Sequence, residues 1–365
     1  MANTKDKIKE LRDELSKTKY NKRTQHHVGL VKAKIAVLRE KEEKRLAGKG
    51  GGEGYNIRKT GDGTVILVGF PSVGKSTLLN ALTNAESAIA AYAFTTLTCI
   101  PGLLEYNHAK IQVLDVPGVV EGAASGRGRG REVLSCAMSA DLVLLMIDVF
   151  KPENREVIMH EVREANLRIN ETKPDVKIEK TSRGGITIGT TCRLTRISRE
   201  TIEAILKEFR IMNASVTIRE DINEEQLIDV IEGNKKYLPG IVALNKIDLV
   251  SDGELAAIQK KYKPDILVSA HNKTHLEELK QLIFDRLDLM RIYCKDIGKK
   301  ADLDIPVIIS RKGSLGDFAD KLHRNFQSRL RFARIWGRSA RFDGQQIRKL
   351  EHKLEDGDIV ELHLR

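Results

Sequence analysis

Eight residues, Gly69-Phe70-Pro71-Ser72-Val73-Gly74-Lys75-Ser76, carry the spacing G-x-x-x-x-G-K-S. Glycines at those two positions let the backbone turn so that successive N–H groups point at phosphate oxygens from the start of a helix. Lys75 adds a cation at the β- and γ-phosphates, and the Ser76 hydroxyl can ligate Mg2+. A glycine-rich turn with no nucleotide is the plainer alternative. Against it stand the apolar strand Val65–Val68 before the turn and the helix opening at Ser76-Thr77-Leu78-Leu79. The chemistry is that of a nucleoside triphosphate site, and the loop alone does not say which nucleotide.

The base is addressed farther along the chain. Asn245-Lys246-Ile247-Asp248 closes an apolar strand. The Asp248 carboxylate can accept from both N1–H and the 2-amino group of guanine, a pair that adenine does not present. A site built for such a pair strongly rejects the analogue lacking it. Asn245 braces the loop, and the Lys246 stem packs on the base plane. Ser269-Ala270-His271 ends the next strand, where a backbone N–H can meet guanine O6. With Thr95/Thr96 and Asp115-Val116-Pro117-Gly118 between them, these segments follow the order of GTPase signatures.

A domain must hold these segments at one edge. From Thr64 the chain alternates strand and helix, predicting a doubly wound α/β fold with its site at the strands' carboxyl ends. The expected strands are Val65–Val68, Lys110–Val116, Leu142–Val149, Ile241–Asp248 and Asp265–His271; Glu153–Arg168 and His275–Leu289 read as helices. About ninety residues separate Val149 from Ile241, where one crossover needs about thirty. The surplus, 170–236, carries its own strands and helices and predicts a small α+β insertion. Residues 1–49 predict a helical hairpin, with Ile8, Leu11 and Leu15 on one helix and Val28, Val31, Ile35 and Leu38 on the other. The stretch Gly48–Gly54 is a linker. Residues 290–365 predict a β-grasp with strands Pro306–Ser310, Ala333–Trp336 and Asp358–Leu364 and a helix over Leu315–Asn325.

Composition narrows the partners. The net charge is +11 and favours an anionic partner such as RNA. Residues 1–49 hold fifteen Lys/Arg against seven Asp/Glu, and 311–349 hold eleven against three, with Phe332 and Trp336 interleaved. A solvated charged face and an RNA-facing surface both suit such runs. No apolar run is long enough for a membrane span. Cys99, Cys136, Cys192 and Cys294 are scattered without paired spacing, as in a cytosolic protein with reduced thiols.

The stretches GFPSVGKSTLLNALT from Gly69, YAFTTLTCIPG from Tyr92, IQVLDVPGVVEGA from Ile111, GRGRGREVL from Gly126, and NKID resemble the Obg-type GTPases, and within them the developmentally regulated GTP-binding (DRG) subfamily. The resemblance spans nearly the whole chain. It implies a basic N-terminal segment (1–49), a P-loop GTPase domain (64–169 and 237–289), an inserted ribosomal-S5-like domain (170–236) and a C-terminal TGS domain (290–365). Gly69, Pro71, Ser72, Val73, Gly74, Lys75, Ser76 and Thr77 are then expected to hold the phosphates. Asn245, Lys246, Asp248, Ser269, Ala270 and His271 are expected to hold the base. Ser76 and Thr96 complete the Mg2+ shell, with Thr95 the neighbouring alternative; Asp115 reaches Mg2+ through a water and the Gly118 N–H contacts the γ-phosphate. Lys75, Thr96, Asp115 and Gly118 form the catalytic set. The family further implies GTP and GDP as ligands, potassium stimulation, a role in translation with ribosomes, rRNA or tRNA through the basic ends, and a family-specific protein partner.

Two positions depart from related patterns. Val119 stands where Ras-like enzymes place a water-orienting Gln, which predicts slow intrinsic turnover. Ser72 stands where potassium-dependent relatives often carry Asn. The loop Gly122–Arg131, with Arg127, Arg129 and Arg131, is either a solvated glycine loop or a nucleotide-sensitive contact to RNA or phosphate. Two functions remain: a GTP switch read by ribosomes, and an RNA-binding assembly module in which GTP is mainly a structural ligand. Asp248 disfavours an ATP-driven remodelling enzyme.

Overall fold

The structure is a computed structural model that describes residues 4–19, 21, 23–47, 61–83, 100–115 and 139–365. Thr95, Thr96, Gly118, Val119 and the 122–131 loop lie outside the described residues. The chain divides into two compact units: one takes in the described residues up to 47 together with 171–237, the other 61–170 together with 238–365.

The second unit contains a six-stranded sheet in the order Ile266–Leu267, Gly240–Asn245, Leu142–Asp148, Gly63–Val68, Ala109–Asp115, Ile100–Tyr106. All neighbours are parallel except the last pair, which is antiparallel. The strands read as continuous apolar runs because both faces are covered. Val65 and Leu67 pack with Leu78, Leu79, Leu279 and Ile283 of the helices Lys75–Leu82 and Leu276–Arg286. Ile66 and Val68 pack the other way, with Ile158 and Val162 of helix Asn154–Glu164. This arrangement brings the carboxyl ends at Val68, Asp115, Asp148 and Asn245 to one edge.

Several elements differ from expectation. The antiparallel edge strand Ile100–Tyr106 was not expected, since Pro101 and Gly102 suggest a turn; an edge position tolerates both. Helix Asp252–Tyr262 carries no fully buried residue; Leu255 and Ile258 pack partly buried against the core, an apolar stripe too short to reveal it. The helix expected over Glu153–Arg168 ends at Glu164, and Leu167–Ile169 is a short strand. The helix expected to reach Leu289 stops at Arg286. Asp288, at φ 56°, turns the chain into the strand Leu289–Cys294.

That strand opens a five-stranded sheet in the order Val307–Ser310, Leu289–Cys294, Ile359–Leu364, Leu330–Trp336, Gln345–Ile347. Helix Leu315–Leu322, started by a Ser314/Asp317 capping box, buries Phe318 against one face. This is the β-grasp. Leu289 and Ile308 join the core of the six-stranded domain, and Lys321 Nζ lies 3.0 Å from Asp62 Oδ1.

In the first unit the strands Val176–Lys180, Ala214–Ile218 and Ile186–Thr190 form a sheet backed by helices Arg199–Glu208 and Glu224–Glu232. The hairpin Thr4–Lys17 and Gln25–Ala47 packs through Ile8, Val31 and Ile35. Ala33 and Ala36 of its second helix are part of the insert's core. Gly29 permits this approach: a Cβ there would come within 3.0 Å of Glu224 Cγ and 3.1 Å of Thr201 Cγ2.

The root of the insertion is pinned on the side of the six-stranded sheet. The Asn170 N–H donates to the Leu238 carbonyl at 2.9 Å. Its side chain donates to the Gly240 carbonyl at 3.1 Å and accepts from the Gly240 N–H at 2.8 Å.

Candidate nucleotide site

The loop between strand Gly63–Val68 and helix Lys75–Leu82 is shaped by close contacts. Gly74 has φ 97°, and a Cβ there would lie 2.5 Å from Asn245 Nδ2. A Cβ on Gly69 would lie 2.6 Å from the Met146 carbonyl oxygen. Ser72, exposed beside Pro71, also adopts a left-handed conformation, at φ 62°. Val73 is buried beneath the loop. Lys75 curls back and donates to the carbonyls of Gly69 at 2.9 Å and Phe70 at 3.0 Å. Gly74 offers no side-chain cap, so the start of the helix borders the loop without a capping side chain. Backbone donors and one ammonium around a turn make an anion cradle.

Asn245 ties this cradle to the base loops. It is 2% exposed. Its Nδ2 donates to the Val73 carbonyl at 2.8 Å, and its Oδ1 accepts from the Ala270 N–H at 3.0 Å. One amide therefore joins three segments that are far apart in sequence. Lys246 follows in a left-handed turn at φ 68°, and Asp248 is exposed in the short 3-10 helix Ile247–Leu249. Ser269 is fully buried, its Oγ accepting from the Asn272 N–H, while His271 is exposed.

One partner escaped the sequence reading. Asp148, at the end of strand Leu142–Asp148, pairs in register with Asn245 and holds the Lys246 ammonium at 2.7 Å. Its other oxygen accepts from the Phe150 N–H. A carboxylate closing an apolar strand in a sheet of this kind was the available signal.

A divalent cation has a fitting place. Ser76 Oγ donates to Asp115 Oδ2 at 2.8 Å. Asp115 is 6% exposed, and its Oδ1 has no hydrogen-bond partner among the described residues. A buried carboxylate oxygen left in that state is costly, and a hydrated Mg2+ beside Ser76 would satisfy it. The structure thus brings together the phosphate loop, Asp115, Asn245, Lys246, Asp248 and Ser269–His271 at one sheet edge. Thr96 and Gly118 are outside its description.

Sheet order, anion cradle and base loops together define a P-loop GTPase. The family described as 50S ribosome-binding GTPase matches residues 64–180, its C-terminal region matches 183–289, and a TGS domain matches 290–364. An uncharacterized GTP-binding protein of Methanocaldococcus jannaschii is 50% identical over 364 residues, covering 99% of this chain and 93% of that one. Developmentally-regulated G-protein 3 of Arabidopsis thaliana is 44% identical, with 99% of both chains covered. Developmentally-regulated GTP-binding protein 1 of Xenopus laevis is 41% identical, again with 99% of both covered. The chain belongs to the developmentally regulated GTP-binding (DRG) family. Among its described residues no helix is long and apolar enough to cross a membrane.

Proposed function

We propose that this protein is a Mg2+-dependent GTP switch of the cytoplasm that hydrolyses GTP slowly and acts in translation on ribosomes, rRNA or tRNA through its basic ends. The observation that carries the reading is the Asn245 bridge, which makes phosphate cradle and base loops one pre-organised site. In this reading Lys75 and the 72–77 backbone hold the phosphates, and Asp248 accepts from the guanine edge. The Asp148 pair keeps Lys246 extended beside the base. Ser76 and Thr96 would hold Mg2+, which would supply charge neutralisation at the phosphates, and Asp115 would reach it through a water. The Gly118 N–H senses the γ-phosphate. Without that phosphate the Thr96 and Gly118 segments lose their contacts, the order–disorder step of such switches.

Val119 cannot align a water, so turnover relies on backbone groups, a monovalent cation or a group from a partner protein. A missing trans-acting group is worth about 10³–10⁵ in rate. Turnover measured side by side in K+ and Na+ tells whether the Ser72 position supports cation stimulation; fast turnover in Na+ alone refutes slow intrinsic hydrolysis. The switch itself is tested by co-sedimenting the full chain with ribosomes in GTP-analogue and GDP forms. The expected result is stronger retention with the analogue. Equal retention refutes switching, because a partner indifferent to two states shifts neither, and leaves the assembly-module reading.

A further inference from the structure

Strand Leu330–Trp336 sends alternate residues to opposite faces of the C-terminal sheet. Ala333 and Ile335 enter the core under helix Leu315–Leu322. Phe332, Arg334 and Trp336 therefore face the other way. Register places His363 beside Phe332, Glu361 beside Arg334, and Ile359 between Trp336 and Tyr293. On the next strand Gln346 pairs with Arg334, and exposed Arg348 lies two residues on. Aromatic and basic residues thus alternate across the sheet face opposite that helix, with Arg334 and Arg348 exposed on it.

Their contacts give that face a chemistry. The Phe332 and His363 rings stack with centroids 4.2 Å apart and planes 18° apart, and the Arg331 guanidinium lies 6.0 Å from the Phe332 ring. Carboxylates on this side are already neutralised. Glu361 is 2% exposed and is held by Lys295 and by His363 Nε2 at 2.7 Å. Asp356 accepts a two-pronged bond from Arg291, at 2.7 and 3.2 Å. What faces solvent is cationic around a ring stack. Trp336 is engaged by the protein itself: Lys295 Nζ sits 4.6 Å from its centroid, and Gly344 lies so close that a Cβ would come within 3.3 Å of Nε1.

We propose that this sheet face binds single-stranded RNA, with an unpaired base stacking against the Phe332–His363 pair and phosphates meeting Arg334 and Arg348. Positive charge selects a polyanion, and the ring stack selects one with open base faces. A duplex hides its base faces and offers backbone alone. The inference rests on the RNA-partner reading above and narrows it to one face and one form of RNA.

Trp336 is the chain's single tryptophan, so its fluorescence reports on this face directly. Full-length GDP-bound protein is titrated with 12-mer oligouridylate and oligoadenylate, a 12-base-pair RNA duplex, and inorganic polyphosphate. The expected result is saturable quenching by both single strands, and binding at least about tenfold weaker by duplex and polyphosphate. Phe332→Ala should weaken single-strand binding about 5- to 150-fold, the range for one lost base–aromatic stack. Arg334→Gln should lower the salt slope of binding by about 0.7, the value for one phosphate on a single strand. Phe332→Leu, which keeps apolar volume but loses the ring, separates stacking from folding, and unfolding curves check each variant. Equal binding of polyphosphate, a preference for duplex, or unchanged affinity in both Phe332 variants overturns the proposal. Because the titration uses one nucleotide state, it can succeed where nucleotide-dependent co-sedimentation fails, and the reverse.

Discussion

Truncating Asn245 to alanine tests the central joint of the site. The side chain is buried and makes two bonds, to the Val73 carbonyl at 2.8 Å and from the Ala270 N–H at 3.0 Å. Removing it leaves a buried acceptor in the phosphate loop and a buried donor in the base loop. Each costs about 1–3 kcal/mol when left unmet, and a water entering the vacated space recovers part of that. A combined loss of about 2–4 kcal/mol weakens nucleotide binding about 30- to 700-fold. Asn245 lies on the cradle's base side, so GDP and GTP should suffer alike. Equilibrium titration with a fluorescent GDP and a non-hydrolysable GTP analogue, with thermal unfolding alongside, gives the numbers. Asn245→Asp is the sharper control. It can still accept from the Ala270 N–H but sets a carboxylate against the Val73 carbonyl, so it should bind no better than the alanine variant. Affinities within about threefold of wild type, or a loss confined to GTP, would refute the joint.

Asp248→Asn replaces an acceptor with a group that also donates; guanine affinity should fall at least about 100-fold while xanthine nucleotides, with a carbonyl at C2, gain affinity, as competition binding will measure. Gly74→Ala places a methyl 2.5 Å from Asn245 Nδ2 at a left-handed φ, so nucleotide binding should fall by at least about 100-fold with circular dichroism unchanged. A hydrogen bond from the Arg291 side chain outweighs burial and holds the Asp356 carboxyl below its ordinary range. A depressed folded-state value means its stabilisation is present above the unfolded value of about 4 and is lost as pH falls through the folded one. Urea midpoints of wild type should therefore drop on acidification below about pH 4 more steeply than those of Asp356→Asn.

Much of the site was legible because its demands fall on backbone and on residue type. The candidate phosphate cradle rests on Gly69 and Gly74, and the proposed guanine contact on a carboxylate at Asp248, so spacing pointed to both. Strands covered on two faces announce themselves as apolar runs, as Leu142–Asp148 does. Elements with weaker demands stayed hidden. Helix Asp252–Tyr262 buries only Leu255 and Ile258, and those partly, so its clearest local sign is the Ser251/Glu254 capping box. Strand Leu289–Cys294 continued the apolar spacing of the helix before it, and only the backbone at Asp288 separates them. The Asp148–Lys246 pair depends on two strands being neighbours, about a hundred residues apart in sequence, which no local pattern states. The Arg-rich C-terminal stretch shows its sidedness only once strand alternation is fixed by Ala333 and Ile335 in the core.

The pinned root at Asn170 and Gly240 has a consequence for how the protein is made. The P-loop leaves the ribosome first, and Asn245 follows about 170 residues later. At roughly 5–20 residues per second this is an interval of roughly 10–30 s. Through about the last hundred residues of that interval strand Leu142–Asp148 waits for its Gly240–Asn245 neighbour. Closing the intervening loop of about 70 residues costs about 4 kcal/mol in chain entropy beyond a constant term. An insert that folds around its own core while the chain is still growing brings Asn170 and Leu238 together beforehand. The excursion then works as a folding staple, delivering strand Gly240–Asn245 to a sheet edge that has been waiting for it.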